Sequence, residues 1–150
     1  MLIDDLAGDL KVNIQPYPAW EWDKSTSKPI AEKHSGFLLI ENSKWANMNA
    51  NEYVEQILSE QLPRVIEQGL ARSADVFCEP GWFDVEQSEE ILKASRNGGM
   101  QLRMHIDEFK DGGGGDLAAE LRVDSADHAH YTSINARNRM KDAGVMTGFL

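Results

Sequence analysis

An α/β fold built on a parallel sheet is predicted by two features of the sequence: short apolar runs alternate with longer amphipathic ones, and three chemistry-bearing residues end successive predicted strands. Those residues are Glu79, His105 and His128. The elements follow in chain order. "LKVNIQ" (10–15) alternates Leu10, Val12 and Ile14 and reads as a strand. The pattern is then lost until about residue 51, in an interval holding Trp20, Trp22 and Trp45 and interrupted by Pro16, Pro18 and Pro29. That interval is expected to be a long loop pinned by its aromatics, with a substrate lid as the alternative. From Asn51, Tyr53, Val54, Ile57, Leu58, Leu62, Val65 and Ile66 share one helical stripe, which Pro63 is placed to kink.

"ADVFCE" (74–79) is an apolar run of strand length. The helix after it has Asp84 and Gln87 in capping-box positions and Asn97 and Gly98 as its stop. "MQLRMH" (100–105) reads as a strand and "DLAAELR" (116–122) as a short helix that Asp116 could cap. "DSADHAH" (124–130), "SINARNRMKDAG" (133–144) and "VMTGFL" (145–150) read as strand, helix and strand. Such alternation is satisfied by a doubly wound sheet or by a (β/α) barrel. At 150 residues the chain is long enough for the first and short of the roughly 200–250 that a complete barrel needs. Two observations point the other way: nothing covers "VMTGFL", and the chemistry sits at the carboxyl ends of several strands, where barrels assemble their sites.

Composition narrows the function classes. A net charge of -10 with no basic stripe disfavours nucleic acid and anionic membrane surfaces, leaving a small molecule or another protein as partner. The single cysteine and an amino terminus without a basic, apolar leader fit a reducing cytoplasm, and no apolar run reaches the roughly 20 residues of a spanning helix.

Three of the four histidines lie in "MHIDEFKDGGGGDLAAELRVDSADHAH" (104–130). His105 ends a strand and Glu108 follows in a turn, so an imidazole and a carboxylate could face one opening and handle a metal ion and its water. Alone, H-x-x-E is equally a satisfied histidine beside a solvated charge cluster. "DGGGGD" lacks the G-K-[ST] ending of a phosphate loop and is flanked by Asp111 and Asp116, so it reads as a flexible βα loop. "HAH" (128–130) has the spacing of a paired-histidine metal motif, but it follows another histidine-bearing strand. His128 is therefore the expected functional member and His130 structural or superficial.

Taken together, "HIDEFKDGGGGDLAAELRVDSADHAHY" and the upstream "ADVFCEPGWFDVEQSEEILKA" resemble the matching stretch of imidazolonepropionases and their close relatives in the amidohydrolase superfamily. The likeness runs over about residues 51–150 and weakens between 16 and 50, where "PYPAWEW" stands in place of a family substrate histidine. It implies a metal-dependent hydrolase of cyclic amides. His105 would ligate one divalent ion, zinc or iron. Glu108 would be the catalytic base that activates water, and His128 would polarise the carbonyl. The family's H-x-H pair on the first barrel strand and its aspartate after the last have no counterparts here in the matching places. The implied architecture is thus a partial (β/α)8 barrel of about five βα units. Residues 1–150 would form this internal piece, with an irregular insertion at about 16–50, as a homo-oligomer or completed by a second chain. The competing expectation is a noncatalytic α/β interaction module that retains the scaffold.

Overall fold

The computed structural model describes residues 49–149 and, before them, the backbone of four strands: β1 (Asn13–Tyr17), β2 (Trp22–Asp23), β3 (Lys28–Pro29) and β4 (Ser35–Ile40). A helical stretch follows, made of α1 (Ala50–Gln56), a π-helical turn (Ile57–Gln61) and α2 (Leu62–Gln68). Then come β5 (Ala71–Cys78), α3 (Val85–Asn97), β6 (Gln101–Ile106), α4 (Gly114–Leu121), β7 (Ser125–His128) and α5 (Ile134–Ala143). The main sheet has the order β1-β4-β5-β6-β7, in which β4 through β7 are parallel neighbours. Beyond α5 the chain returns along β7 in parallel: Ser125 bridges Met146, and the Ala126 and His128 amides donate to the Met146 and Gly148 carbonyls.

Two expectations are corrected at the amino-terminal side. The first strand lies at 13–17 and pairs antiparallel to β4, not parallel. Parallel neighbours need a crossover, usually helical, whereas the connection from β1 to β4 carries the antiparallel pair β2–β3. The interval 16–50, read as irregular, also contains β4, which joins β1 to β5. Its "SGFLLI" shows no alternation, the pattern of a strand inside a parallel sheet, and so gave no period-2 signal. Residues 10–12, Trp20 and Trp45 lie outside the described residues.

Alternation along β5, β6 and β7 sorts the sheet into two faces. Ala74, Val76, Cys78, Leu102, Met104, Ile106 and Ala126 are buried in one core with Ile91 and Leu92 of α3, Leu117 and Leu121 of α4, and Met140 of α5. The opposite face carries Ser73, Asp75, Arg103, His105, Ser125 and Asp127, so among the described residues the apolar helical layer covers one side only. That arrangement departs from a doubly wound sheet, which is apolar on both faces. The stripe predicted from residue 51 holds: Tyr53, Val54, Ile57, Leu62 and Val65 are buried. Pro63 has no amide to donate and would crowd the carbonyl four residues back; the π turn absorbs this, with the Leu62 amide donating to the Ile57 carbonyl. The Asp84–Gln87 capping box forms in both directions, at 2.9 and 3.1 Å.

The glycine tract is a tight junction, not the flexible loop expected. Asp107, fully buried, accepts hydrogen bonds from the amides of Gly112, Gly114 and Gly115 and from the Thr132 hydroxyl. It therefore caps α4 in place of Asp116, which lies inside the first turn. A Cβ on Gly114 would stand 2.8 Å from the Ile106 side chain, and one on Gly112 2.8 Å from the Pro80 ring. Asp107→Ala leaves two buried amides, the half-buried Gly112 amide and a buried hydroxyl without their acceptor and is expected to cost about 3 kcal/mol or more in urea denaturation. Gly114→Ala should cost about 1–3 kcal/mol through overpacking. Burial also pushes the Cys78 thiol up to about 11 from 9.0. The stability this gives is present in full below pH 9.0 and is lost as pH rises to about 11, measurable as a falling denaturation midpoint across that window.

Candidate active site

The carboxyl ends of β5, β6 and β7 bring the candidate residues to one rim. Phe77, His105 and Asp127 are partners across the three strands and share the polar face. By strand alternation His128, the partner of Ile106, belongs on the apolar face. Left-handed backbone at His128 (φ 68) and Ala129 (φ 51) ends the strand and turns the imidazole to the other side. Its ring centroid then lies 5.3 Å from that of His105, and its Nε2 is 3.6 Å from Glu108 Oε2. This is why "HAH" does not behave as a pair on one strand face. His130 is exposed, its ring 6.0 Å from that of His128 and 6.5 Å from that of Phe149.

Two buried carboxylates hold this rim. Asp107, itself at φ 46, reverses the chain after β6, and its backbone carbonyl accepts the Tyr131 amide. Glu79, 2% exposed, accepts the amides of Glu108 (2.9 Å) and Phe109 (3.2 Å), fixing the turn that presents the Glu108 side chain. Glu79 stood out in the sequence only by its place at a strand end, and Asp107 only as one acid in a charged cluster; neither spacing reports the amides they capture.

A third carboxylate, Asp75, was missed altogether. Its signal was an acidic residue inside the apolar run "ADVFC", where a buried parallel strand is ordinarily uncharged. Asp75 Oδ1 lies 2.9 Å from His105 Nδ1. Burial opposes protonation of His105, but the hydrogen bond and charge of Asp75 overcome it and hold the imidazole above its ordinary 6.5. Lower on the same face, Arg103 pairs with Asp127 at 3.1 Å, and Asp127 also accepts the Gly148 amide. A groove of about 440 Å³ runs past Gln101, Arg103, Asp124 and Thr147 toward the strand starts, and His105, Glu108 and His128 are not part of its lining.

As a metal ligand, His105 has suitable chemistry: an imidazole whose Nδ1 lies against a buried carboxylate has the partner that orients ligating histidines. The number of donors falls short. Among the described residues no group of three His, Cys, Asp or Glu side chains could hold an ion. No helix among them is long and apolar enough to cross a membrane.

No family model matches the chain. Individual curated proteins do. The imidazolonepropionase of Desulfotalea psychrophila is 48% identical over 102 residues, 68% of this chain and 25% of that protein. That of Thermoanaerobacter pseudethanolicus is 46% identical over 94 residues (63% and 23%), and that of Alkaliphilus metalliredigens 44% over 98 (65% and 23%). The chain is thus a homologue of imidazolonepropionases over about two thirds of its length, and it spans about a quarter of the length of these relatives.

The support that Glu79 gives to the rim can be measured directly. Glu79→Gln removes the charge that strengthens both amide hydrogen bonds, so the Glu108 and Phe109 amides should exchange with solvent about 10-fold faster or more, while those of β6 change little.

Proposed function

We propose that this chain carries part of an imidazolonepropionase-type active site, hydrolysing the C–N bond of a cyclic amide such as imidazolone propionate. The observation that carries the reading is the convergence of His105, Glu108 and His128 at the carboxyl rim of parallel strands, in a chain homologous to imidazolonepropionases. In this reading β4 to β7 and the returning segment at 146–148 are an arc of a (β/α)8 barrel, within a catalytic unit of residues 1–150. The one-sided helical layer and the polar inner face support that architecture.

Glu108 is the general base. Its carboxylate is held at the rim by the Glu79-anchored turn, takes a proton from the attacking water and returns it to the nitrogen that leaves when the ring opens. His128 donates from its imidazole to the ring carbonyl, stabilising the oxyanion formed as water adds. Its 3.6 Å separation from Glu108 supports this reading by bringing base and oxyanion donor side by side at one end of the rim. His105 contributes one ligand to a divalent ion, zinc or iron, whose Lewis acidity supports the same carbonyl chemistry when bound. The remaining ligands would come from outside the described residues: from the rest of this chain, from another part of a longer polypeptide, or from a partner chain, including a second copy of this one.

The test places residues 71–149 in the matching segment of the Desulfotalea psychrophila relative and follows ring opening and metal content. The chimera should be active with one divalent ion per chain. Glu108→Gln should keep the metal and slow turnover by roughly 10²-fold or more. His128→Ala should keep the metal and cost about 10²- to 10³-fold. His105→Ala should lose the metal, and His130→Ala should be nearly silent. A chimera that folds and binds metal but opens no ring would favour a scaffold retained for protein interaction; a fully active Glu108→Gln would overturn the role of the base.

A further inference from the structure

Asp75 is the least explained charged group of the polar face. It is 1% exposed, in the middle of β5, and one carboxylate oxygen, Oδ2, is buried with no hydrogen-bond partner among the described residues. Burying a carboxylate is unfavourable, and a half-satisfied one is less stable than an apolar side chain of similar volume. The fold has no need of it: the backbone of Asp75 pairs with Leu39 and Arg103 through the ladder, whatever its side chain. Among the described residues its one polar contact is Oδ1 to His105 Nδ1 at 2.9 Å.

With the Asp75 carboxylate as acceptor, Nδ1 of His105 is the donor. In the neutral ring the lone pair is then confined to Nε2. The contact also fixes the plane of the ring, because Asp75 sits on the neighbouring strand two residues below the row Phe77–His105–Asp127, on the same face. We infer that Asp75 is a positioning residue, retained at a cost in stability, that locks His105 as the Nδ1–H tautomer and presents Nε2 toward His128 and the rim. The role in metal binding rests on the function proposed above; the tautomer and its dependence on Asp75 do not.

Long-range proton–nitrogen correlation on the ¹⁵N-labelled 150-residue chain at about pH 9, where imidazoles are neutral, reads the tautomer directly. His105 is assigned by the signals lost in His105→Gln. The expected pattern is Nδ1–H with an unprotonated Nε2. Asp75→Asn retains a carbonyl acceptor and should preserve it, whereas Asp75→Leu should release the ring to Nε2–H. Thermal unfolding separates positioning from structure: Asp75→Leu should unfold at the same temperature as the parent or higher. In the chimera, Asp75→Leu should weaken cobalt(II) binding by about 10- to 100-fold, with Asp75→Asn between it and the parent. An Nε2–H signal for His105 in the parent overturns the inference. So does an Nδ1–H signal that survives in Asp75→Leu, or an Asp75→Leu chain that no longer folds. A chimera inactive for other reasons leaves the tautomer result standing, which separates the two failures.

Discussion

The carboxylate of Asp107 is the interaction on which the described structure turns. It is fully buried, directly after β6, and gathers three amides of the glycine tract together with the Thr132 hydroxyl. One side chain thereby joins the end of β6, the start of α4 and the segment that follows β7. The glycines are demanded by that closeness. Ile106 leaves no room for a Cβ at Gly114, and the Pro80 ring leaves none at Gly112. The result fixes where the chain can go after His105 on one side and after His128 on the other. The relative placement of Glu108 and His128 follows from it.

Glu79 performs the complementary task from the neighbouring strand. Its two oxygens hold the amides of residues 108 and 109, so the Glu108 side chain projects from a turn pinned at both ends. The rim thus consists of reactive groups carried by backbone that is hydrogen-bonded to buried acids. Preorganisation of this kind lets a site act without reordering as charge develops. Below it, the polar face of the sheet carries the Asp75–His105 and Arg103–Asp127 pairs, while the apolar face carries the helices. One sheet separates stability from chemistry because successive residues of a strand point to opposite sides.

His128 shows what backbone strain contributes. Had the strand continued regularly, its imidazole would have faced the helical core beside Ile106. Two consecutive residues in the left-handed region reverse it, at a conformational cost of order 1–3 kcal/mol each. That cost is met by the hydrogen bonds around the same turn: the Ala129 amide to the Ile106 carbonyl, the Tyr131 amide to the Asp107 carbonyl, and the Arg137 guanidinium to the Ala129 carbonyl. Strain here is associated with a residue whose proposed role depends on its facing His105.

Local signals in the sequence determined the α/β alternation, the stripe of the first helical stretch, the Asp84–Gln87 cap and the strand-end positions of Glu79 and His105. Each depends on neighbours a few residues away, through side-chain period or capping. Tertiary structure decided what depends on distant partners. The antiparallel β1 and the central place of β4 came from pairing between segments, which a run such as "SGFLLI" does not encode by itself. Asp107 rather than Asp116 caps α4 because the chain folds back 7 and 8 residues to deliver Gly114 and Gly115 to it. The tie of Asp75 to His105 spans 30 residues, and that of Glu79 to Glu108 spans 29. Side-chain period and capping extend only one or two turns along the chain, whereas hydrogen bonds of this separation exist only once the strands lie side by side.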